Sequence, residues 1–467
     1  MSVQILTNGH SATGPTLDSS SGPELKPSGL QSTVDHTQEL IPISEIGDTP
    51  KKAPLMQSFI SPCIGAFGSS FGLTSLLLAK IMANTGFMGF VISMVLAILV
   101  NYVSDIVILK LGEKYKLKSF SELSSLFDIP AIKITFKVVY FALNFGILLS
   151  GAVAFNMILI DILASQGVTS GFLVSKTTFL YIVLLHAVMF PLLMKRKLSD
   201  LKIVTILTLV ACFYLTIFLM VRGVQNSSLA EKGAALIEIT YDNIKSIPTA
   251  FSVIFFAFSI QVNLFSMYSE LPDPSIKNLK PVLFTNFGLL ACVYLMVGYF
   301  GMMAFFDRRA DFQTNRENVL GMFPANDYGA LVARILMLIT SINTFLYTFK
   351  PCKDIVLEYL DDEVEAQPVG PRGTRLETAK IIKLNLYVTI GLALSSVAVG
   401  SFFIIIGKNL GDIIDILANL FMPVLFVFIP LAIFARLKVT PPVIAALALS
   451  SFCYMFYVIS SIMAAFK

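Results

Sequence analysis

The chain has no tryptophan, only three histidines and five cysteines, and just 14% of its 467 residues are charged. A soluble domain carries about 25% charged residues, so this sequence lacks the material to coat a water-facing surface. Its histidines, His10, His36 and His186, form no HExxH-type pair. That disfavours a metal- or histidine-based enzyme. A GxxxxGKS/T loop is absent as well, which argues against a nucleotide-driven pump. The cysteines, Cys63, Cys212, Cys292, Cys352 and Cys453, show no metal-type spacing and read as small packing residues. Without tryptophan, any interfacial aromatic belt rests on tyrosine. The first 55 residues lack an apolar run, so no signal peptide is expected. They are rich in Ser, Thr, Gly and Pro and read as a disordered cytoplasmic tail. A formal net charge of +4 is small, and no nucleic-acid partner is expected.

What the chain does have is apolar length. Hydrophobic residues make up 55% of it, and the mean hydropathy is +0.78. Eleven long apolar stretches follow the tail, at approximately 57–82, 87–111, 133–163, 176–194, 199–222, 248–268, 279–306, 329–350, 381–406, 411–435 and 440–464. Each is near the ~20 residues that cross ~30 Å of hydrocarbon as a helix. A bilayer admits only helices or closed barrels, and continuous apolar runs without period-2 alternation select helices. The expected fold is therefore an all-α polytopic membrane protein, with the lipid bilayer as its surroundings.

Basic residues give the orientation. Lys114, Lys116 and Lys118, then Lys195, Arg196 and Lys197, then Lys277 and Lys280, then Lys353, Arg372, Arg375 and Lys380, and finally Arg436 and Lys438 occupy loops on one side. Lys51 and Lys52 of the tail join them, so that side, with the N-terminus, is expected in the cytoplasm. Arg308, Arg309 and Arg316 crowd one loop on the other side but do not outweigh five basic loops. The sequon Asn226-Ser227-Ser228 falls on the opposite face and makes Asn226 a glycosylation candidate.

Five spans per unit, taken as 1–5 (about 57–222) and 6–10 (about 248–435), force two repeats into opposite orientations. That is the inverted-repeat plan of secondary transporters, with one extra C-terminal helix at about 440–464. In such a plan spans 1 and 6 are broken near the midplane. Span 1 reads Ser61-Pro62-Cys63-Ile64-Gly65-Ala66-Phe67-Gly68-Ser69-Ser70-Phe71-Gly72, a run that weakens a helix and frees backbone groups. Freed amides suit a carboxylate and freed carbonyls a cation; close helix packing through the glycines is the alternative. Span 6 carries Ser259, Gln261 and Asn263 inside an aromatic run. Buried amides are costly unless paired, so either a ligand site or interhelical hydrogen bonding is expected there.

Several segments resemble the amino acid/auxin permease family. Phe256-Ala257-Phe258 leading to Tyr268-Ser269-Glu270-Leu271 is similar to its sixth-helix signature. Gly151-Ala152-Val153-Ala154-Phe155 followed by Asp161 resembles its third helix, and Gly298-Tyr299-Phe300-Gly301 with Glu317-Asn318-Val319-Leu320 its seventh helix and the following loop. Lys350-Pro351-Cys352 matches the end of its eighth helix. In helix 1 the chain departs from the family, with Leu76-Leu77-Leu78-Ala79-Lys80 where a proline is usual. The resemblance implies a LeuT-like five-plus-five inverted repeat and an amino-acid substrate moved in symport with a proton or sodium ion. It implies substrate binding by Gly65, Gly68, Ser69, Ser70, Ser259, Gln261 and Asn263, and a cation site near Ser61, Thr340, Ser341 and Asn343.

Charges inside the spans complete the candidates. Asp105 and Asp161 are ion-coupling candidates, and Lys80 and Arg334 are further pathway candidates, because such groups are expensive in lipid. Lys80 and Asp161 read equally as interfacial, and Asp105 as a structural partner of a neighbouring helix. Asp412 and Asp415 mark the start of span 10, and His186 reads as a hydrogen-bonded core residue with a proton-relay alternative. The expected activity is amino-acid transport by alternating access, in the plasma membrane or a vacuolar or lysosomal membrane. A channel and a membrane-embedded enzyme are the competing classes; no pore filter or charged ring supports the channel, and the three histidines make the enzyme the weakest of the three.

Overall fold

A computed structural model describes residues 63–425, with interruptions at 69, 118, 128, 169–178, 195–201, 227–240, 270, 272, 309–317, 366–374, 406–409, 418–420 and 423. The tail, Ser61, Ser69, most of span 10 and all of span 11 fall outside the described residues. The described chain is almost entirely helical. Helical residues 63–68 and Ser70 form α1. A 3₁₀ turn, Leu73–Leu77, then leads into α2 (Leu78–Tyr115). After it come α3 (Pro130–Ser165), α4 (Phe179–Leu193), α5 (Lys202–Gln225) and α6 (Tyr241–Ala257). A second 3₁₀ turn, Gln261–Asn263, leads into α7 (Leu264–Ser269). The chain continues as α8 (Ile276–Ala304), α9 (Tyr328–Glu365), α10 (Arg375–Ile405) and α11 (Leu410–Ile416).

Seven helical segments among the described residues are long and apolar enough to cross a membrane. One of them, Leu73–Tyr115, is 43 residues long and holds the part of expected span 1 after its break together with all of span 2. Gly86 divides it, with φ 68° and ψ 172° inside α2. Only glycine adopts that backbone without strain. The expected boundary between spans 1 and 2 falls there. Elsewhere the ends follow local chemistry: Pro130 opens α3, where its missing N–H costs nothing, and Ser275 caps α8 by accepting from the Asn278 N–H.

The helices are inverted in polarity relative to a soluble protein. On α5, Ile203, Ile206, Val210, Phe213, Ile217, Val221 and Val224 are exposed, whereas Thr205, Thr208, Cys212 and Thr216 are buried. Apolar side chains facing outward at helical spacing require a lipid surround.

Packing divides the bundle in two. Helices α6 and α8 both pack against α2, and α3, α4, α9 and α10 form a second group. A separate apolar cluster ties that second group together, with Leu148, Leu185, Phe345 and Leu392 at its centre. Helix α5 bridges the groups through α8 and α9. The contacts also obey an exchange rule. Swapping α3 with α9, α4 with α10 and α5 with α11 maps α3–α4 onto α9–α10, α3–α10 onto α9–α4, and α5–α9 onto α11–α3; all are observed. Spans 3, 4 and 5 thus pack as spans 8, 9 and 10 do, as the repeat expected from the sequence requires.

Candidate functional site

Both expected breaks are present. In span 1 the α-helix stops at Ser70, and Phe71 and Gly72 are irregular before the 3₁₀ turn. In span 6 the chain leaves α6 after Ala257 and passes through Phe258–Ile260 before its own 3₁₀ turn. One side chain links the two breaks. The Tyr294 hydroxyl of α8, fully buried, lies 3.2 Å from the Ser70 carbonyl and 3.2 Å from the Ala257 carbonyl. A phenol has a single proton, so it can serve only one of these two freed carbonyls at a time.

Around the first break, most polar groups are already engaged. The Ser70 hydroxyl donates to the Ala66 carbonyl at 2.6 Å and accepts from Asn286 at 3.2 Å. The Gly68 carbonyl accepts from the Asn343 amide of α9 at 3.1 Å. Gly68 is also where α1 touches α5: a Cβ there would lie 2.2 Å from the Thr205 methyl. Thr205 is in turn 2.9 Å from the Tyr347 hydroxyl. Gly65 differs, because a Cβ there would meet nothing within 4 Å.

At the second break, Ser259 donates to Gln261 at 2.6 Å, and Gln261 donates to Asn101 of α2 at 2.9 Å. Asn101 donates onward to the Ala97 carbonyl at 2.9 Å and the Phe255 carbonyl at 3.1 Å. Gln261 is therefore a buried brace between span 6 and α2. Asn263 instead lines a cavity of about 290 Å³, together with Ser119, Tyr140, Phe265, Lys350 and Asp354. That cavity reaches the surface beside the exposed Ser269 and Asp354, at the end of the bundle that also carries Lys114 and Lys116.

Among the cation-site candidates, Asn343 approaches span 1 directly, and its buried Oδ1 accepts no hydrogen bond from the described residues. Thr340 and Ser341 turn their hydroxyls onto the carbonyls of Leu336 (3.3 Å) and Leu338 (2.7 Å) in their own helix. Asp105 is completely buried in α2, and neither carboxylate oxygen has a hydrogen-bond partner among the described residues. Asp161 lies away from the breaks, accepting from Asn318 at 3.1 Å. Arg334, 3% exposed, donates to the carbonyls of Leu320 and Phe323 at 2.9 and 3.0 Å. Together with the Arg222–Asp327 ion pair at 2.6 Å, these contacts fasten residues 318–327 to α3, α5 and α9. His186 meets Ser396 in a hydrogen bond and the edge of Phe345, as a core histidine does. The Asn226 amide donates to the Ala304 carbonyl at 2.5 Å. Asn101, Asn286 and Tyr294 were not among the sequence candidates; their one signal was polarity within an apolar run.

Two helix groups, an inverted repeat and a pair of facing helix breaks define the architecture of secondary transporters. Solved structures share it: a crystal structure of MhsT in complex with L-phenylalanine aligns at TM-score 0.52 and 15% identity, covering 87% of this chain and 97% of that one. A sodium-coupled sialic acid symporter aligns at TM-score 0.52 and 14% identity, covering 87% and 89%. Residues 58–467 match the family described as transmembrane amino acid transporter protein, and the chain belongs to that family. It is a family of transporters, not enzymes. Vacuolar amino acid transporter 7 of Saccharomyces cerevisiae is 31% identical over 27% of this chain and 26% of its own length. Vacuolar amino acid transporter 5 from the same yeast is 26% identical over 38% of each. Solute carrier family 38 member 10 of Mus musculus is 22% identical over 56% of this chain and 24% of its own. The matches thus span between about a quarter and 38% of these relatives' own lengths.

Proposed function

We propose that this protein is a secondary active transporter that carries amino acids across a membrane by alternating access. The observation that carries the reading is the pair of facing breaks in spans 1 and 6, with Asn263 on the wall of the cavity that leads out at the basic end. Zwitterion recognition follows from the chemistry of such breaks: freed N–H groups attract the carboxylate, and freed carbonyls attract the ammonium. Gly65, Gly68, Ser69 and Ser70 on one side and Ser259, Gln261 and Asn263 on the other are the proposed substrate residues. The coupling ion is a proton or sodium, for which Ser61, Thr340, Ser341, Asn343, Asp105 and Asp161 are the candidates. The group of α2, α6 and α8 would rock against that of α3, α4, α9 and α10. The basic-loop end faces the cytoplasm in this reading. A vacuolar or lysosomal membrane is favoured by the two yeast relatives named as vacuolar.

Uptake of a radiolabelled amino-acid mixture into proteoliposomes, under pH and sodium gradients imposed separately, tests this. Accumulation driven by one gradient, and lost in Asn263→Ala, is the expected result. No accumulation of any amino acid under either gradient, from folded protein, would overturn it.

A further inference from the structure

Asp105 has no assigned work in the fold. It is fully buried, and no described N–H or O–H donates to either carboxylate oxygen. Burying an ionised carboxylate without donors costs far more than burying the neutral acid, so the protonated form is the one this place favours.

Its face of α2 is known from two fixed points. Asn101, one turn earlier and about 6 Å along the axis, bonds Gln261 and the Phe255 carbonyl. Gly112, two turns later and about 10 Å along, packs so closely on Phe265 that a Cβ would lie 2.6 Å from the ring. Residues 101, 105 and 112 share one helical face, so Asp105 lies along the seam between α2 and the inner half of broken span 6. Phe265 closes that seam and also lines the cavity that opens at the basic end. The ring that packs on this face of α2 is thus also a wall of that cavity.

Nearby charges do not account for it. On the elements packed most closely against α2, the turn Leu73–Leu77 and the described side chains of α6 carry no titratable group. Helix α7 carries Tyr268 alone, which bonds Glu113 and the Pro274 carbonyl. Helix α8 carries Lys277, Lys280 and Cys292, all exposed, Tyr299 stacked edge-on against Phe87, and Tyr294, occupied at the two breaks. On α2 itself Lys110, Glu113, Lys114 and Tyr115 are exposed, Lys80 is half-buried 25 positions earlier near the helix start, and Tyr102 packs against Phe287.

We propose that Asp105 is the proton-binding switch of the transport cycle. It is protonated while α2 lies sealed on span 6, and it loses the proton when that seam parts and water reaches the carboxylate. This rests on the transporter reading and narrows its coupling ion to a proton that binds Asp105 itself.

The test uses the full chain in proteoliposomes, with wild type, Asp105→Asn and Asp105→Glu each assayed twice. One assay is accumulation under a one-unit inward pH gradient, which supports up to about tenfold concentration for one proton per substrate. The other is gradient-independent counterflow of the same amino acid. Wild type and Asp105→Glu are expected to accumulate, while Asp105→Asn falls to the equilibrium level yet keeps counterflow within about twofold of wild type. Entrapped pH dye should report proton movement with substrate for wild type and none for Asp105→Asn. Gradient-driven accumulation by Asp105→Asn would overturn the proposal. So would loss of its counterflow, since that reports a structural role, and so would wild-type accumulation indifferent to the pH gradient with counterflow intact, which leaves transport standing. Absence of counterflow in wild type would sink the transporter reading itself.

Discussion

Gly68 shows how one missing side chain shapes the site. It lets α1 approach α5 so closely that any Cβ would overlap the Thr205 methyl at 2.2 Å. Gly68→Ala should therefore cost about 1–3 kcal/mol, the range for forcing extra volume into a packed core, read as a lower melting temperature in detergent. Thr205→Ser removes the offending methyl while keeping the hydroxyl opposite Tyr347, 2.9 Å away. Added to Gly68→Ala, it should restore most of the loss, a coupling that independent sites would not show. Gln261 supplies a second case. Gln261→Ala leaves the buried Asn101 oxygen and the Ser259 hydroxyl without their partners, and a stranded buried polar group costs about 1–3 kcal/mol. A thermal-shift series should find it less stable than the double variant Gln261→Leu with Asn101→Leu, which removes both partners of the central bond. Sequence alone singled out Gly68 and Gln261 because glycine and glutamine are conspicuous inside apolar spans. It could not show that Gln261 reaches Asn101, because the partner lies 160 positions away and depends on how α2 packs.

At the scale of elements, the spans were legible and the joints less so. Membrane-crossing length is a property of local composition, which is why the expected spans 133–163, 279–306 and 329–350 fall within α3, α8 and α9 to within a few residues. The breaks were legible too: glycines in span 1 weaken a helix, and the repeat plan with a polar cluster inside an apolar run pointed to span 6. Hidden from the sequence were the 3₁₀ turns Leu73–Leu77 and Gln261–Asn263 that rejoin the broken helices, because they are set by contacts across the bundle. Gly86 is a joint whose demand is purely conformational. At φ 68° and ψ 172° an alanine is strained whatever surrounds it, by about 1–3 kcal/mol. Gly86→Ala should lower the melting temperature, and no second-site change on a neighbouring helix should rescue it, in contrast to Gly68→Ala. Rescue by a packing mutation would show that the strain argument is wrong.

For the molecule as a whole, the two ends of the bundle differ. At the basic end the cavity reaches Asn263. At the other end residues 318–327 are pinned by Arg334, by Asp161 through Asn318, and by the Arg222–Asp327 pair, and Leu320 there is fully buried. Asp161 and Arg334, read from sequence as ion or pathway candidates, are thus brought together with this segment and not with the helix breaks. Charge identity is visible in a sequence, but whether it faces a path or fastens a loop depends on tertiary position. In the proposed alternating-access cycle these contacts would have to part. The Arg222–Asp327 pair is partly exposed, so its contribution is held to about 1 kcal/mol, and removing it should raise the open population by up to about fivefold. The consequence is measurable as thiol accessibility. With the five native cysteines replaced by serine or alanine, a cysteine introduced at Leu320 should react slowly with a membrane-impermeant maleimide supplied from that side. Adding Arg222→Ala should speed the reaction several-fold, and substrate that favours the closed form should slow it again. Equal rates with and without Arg222→Ala would mean that the pair does not hold this segment, leaving Arg334 and Asp161 to do so.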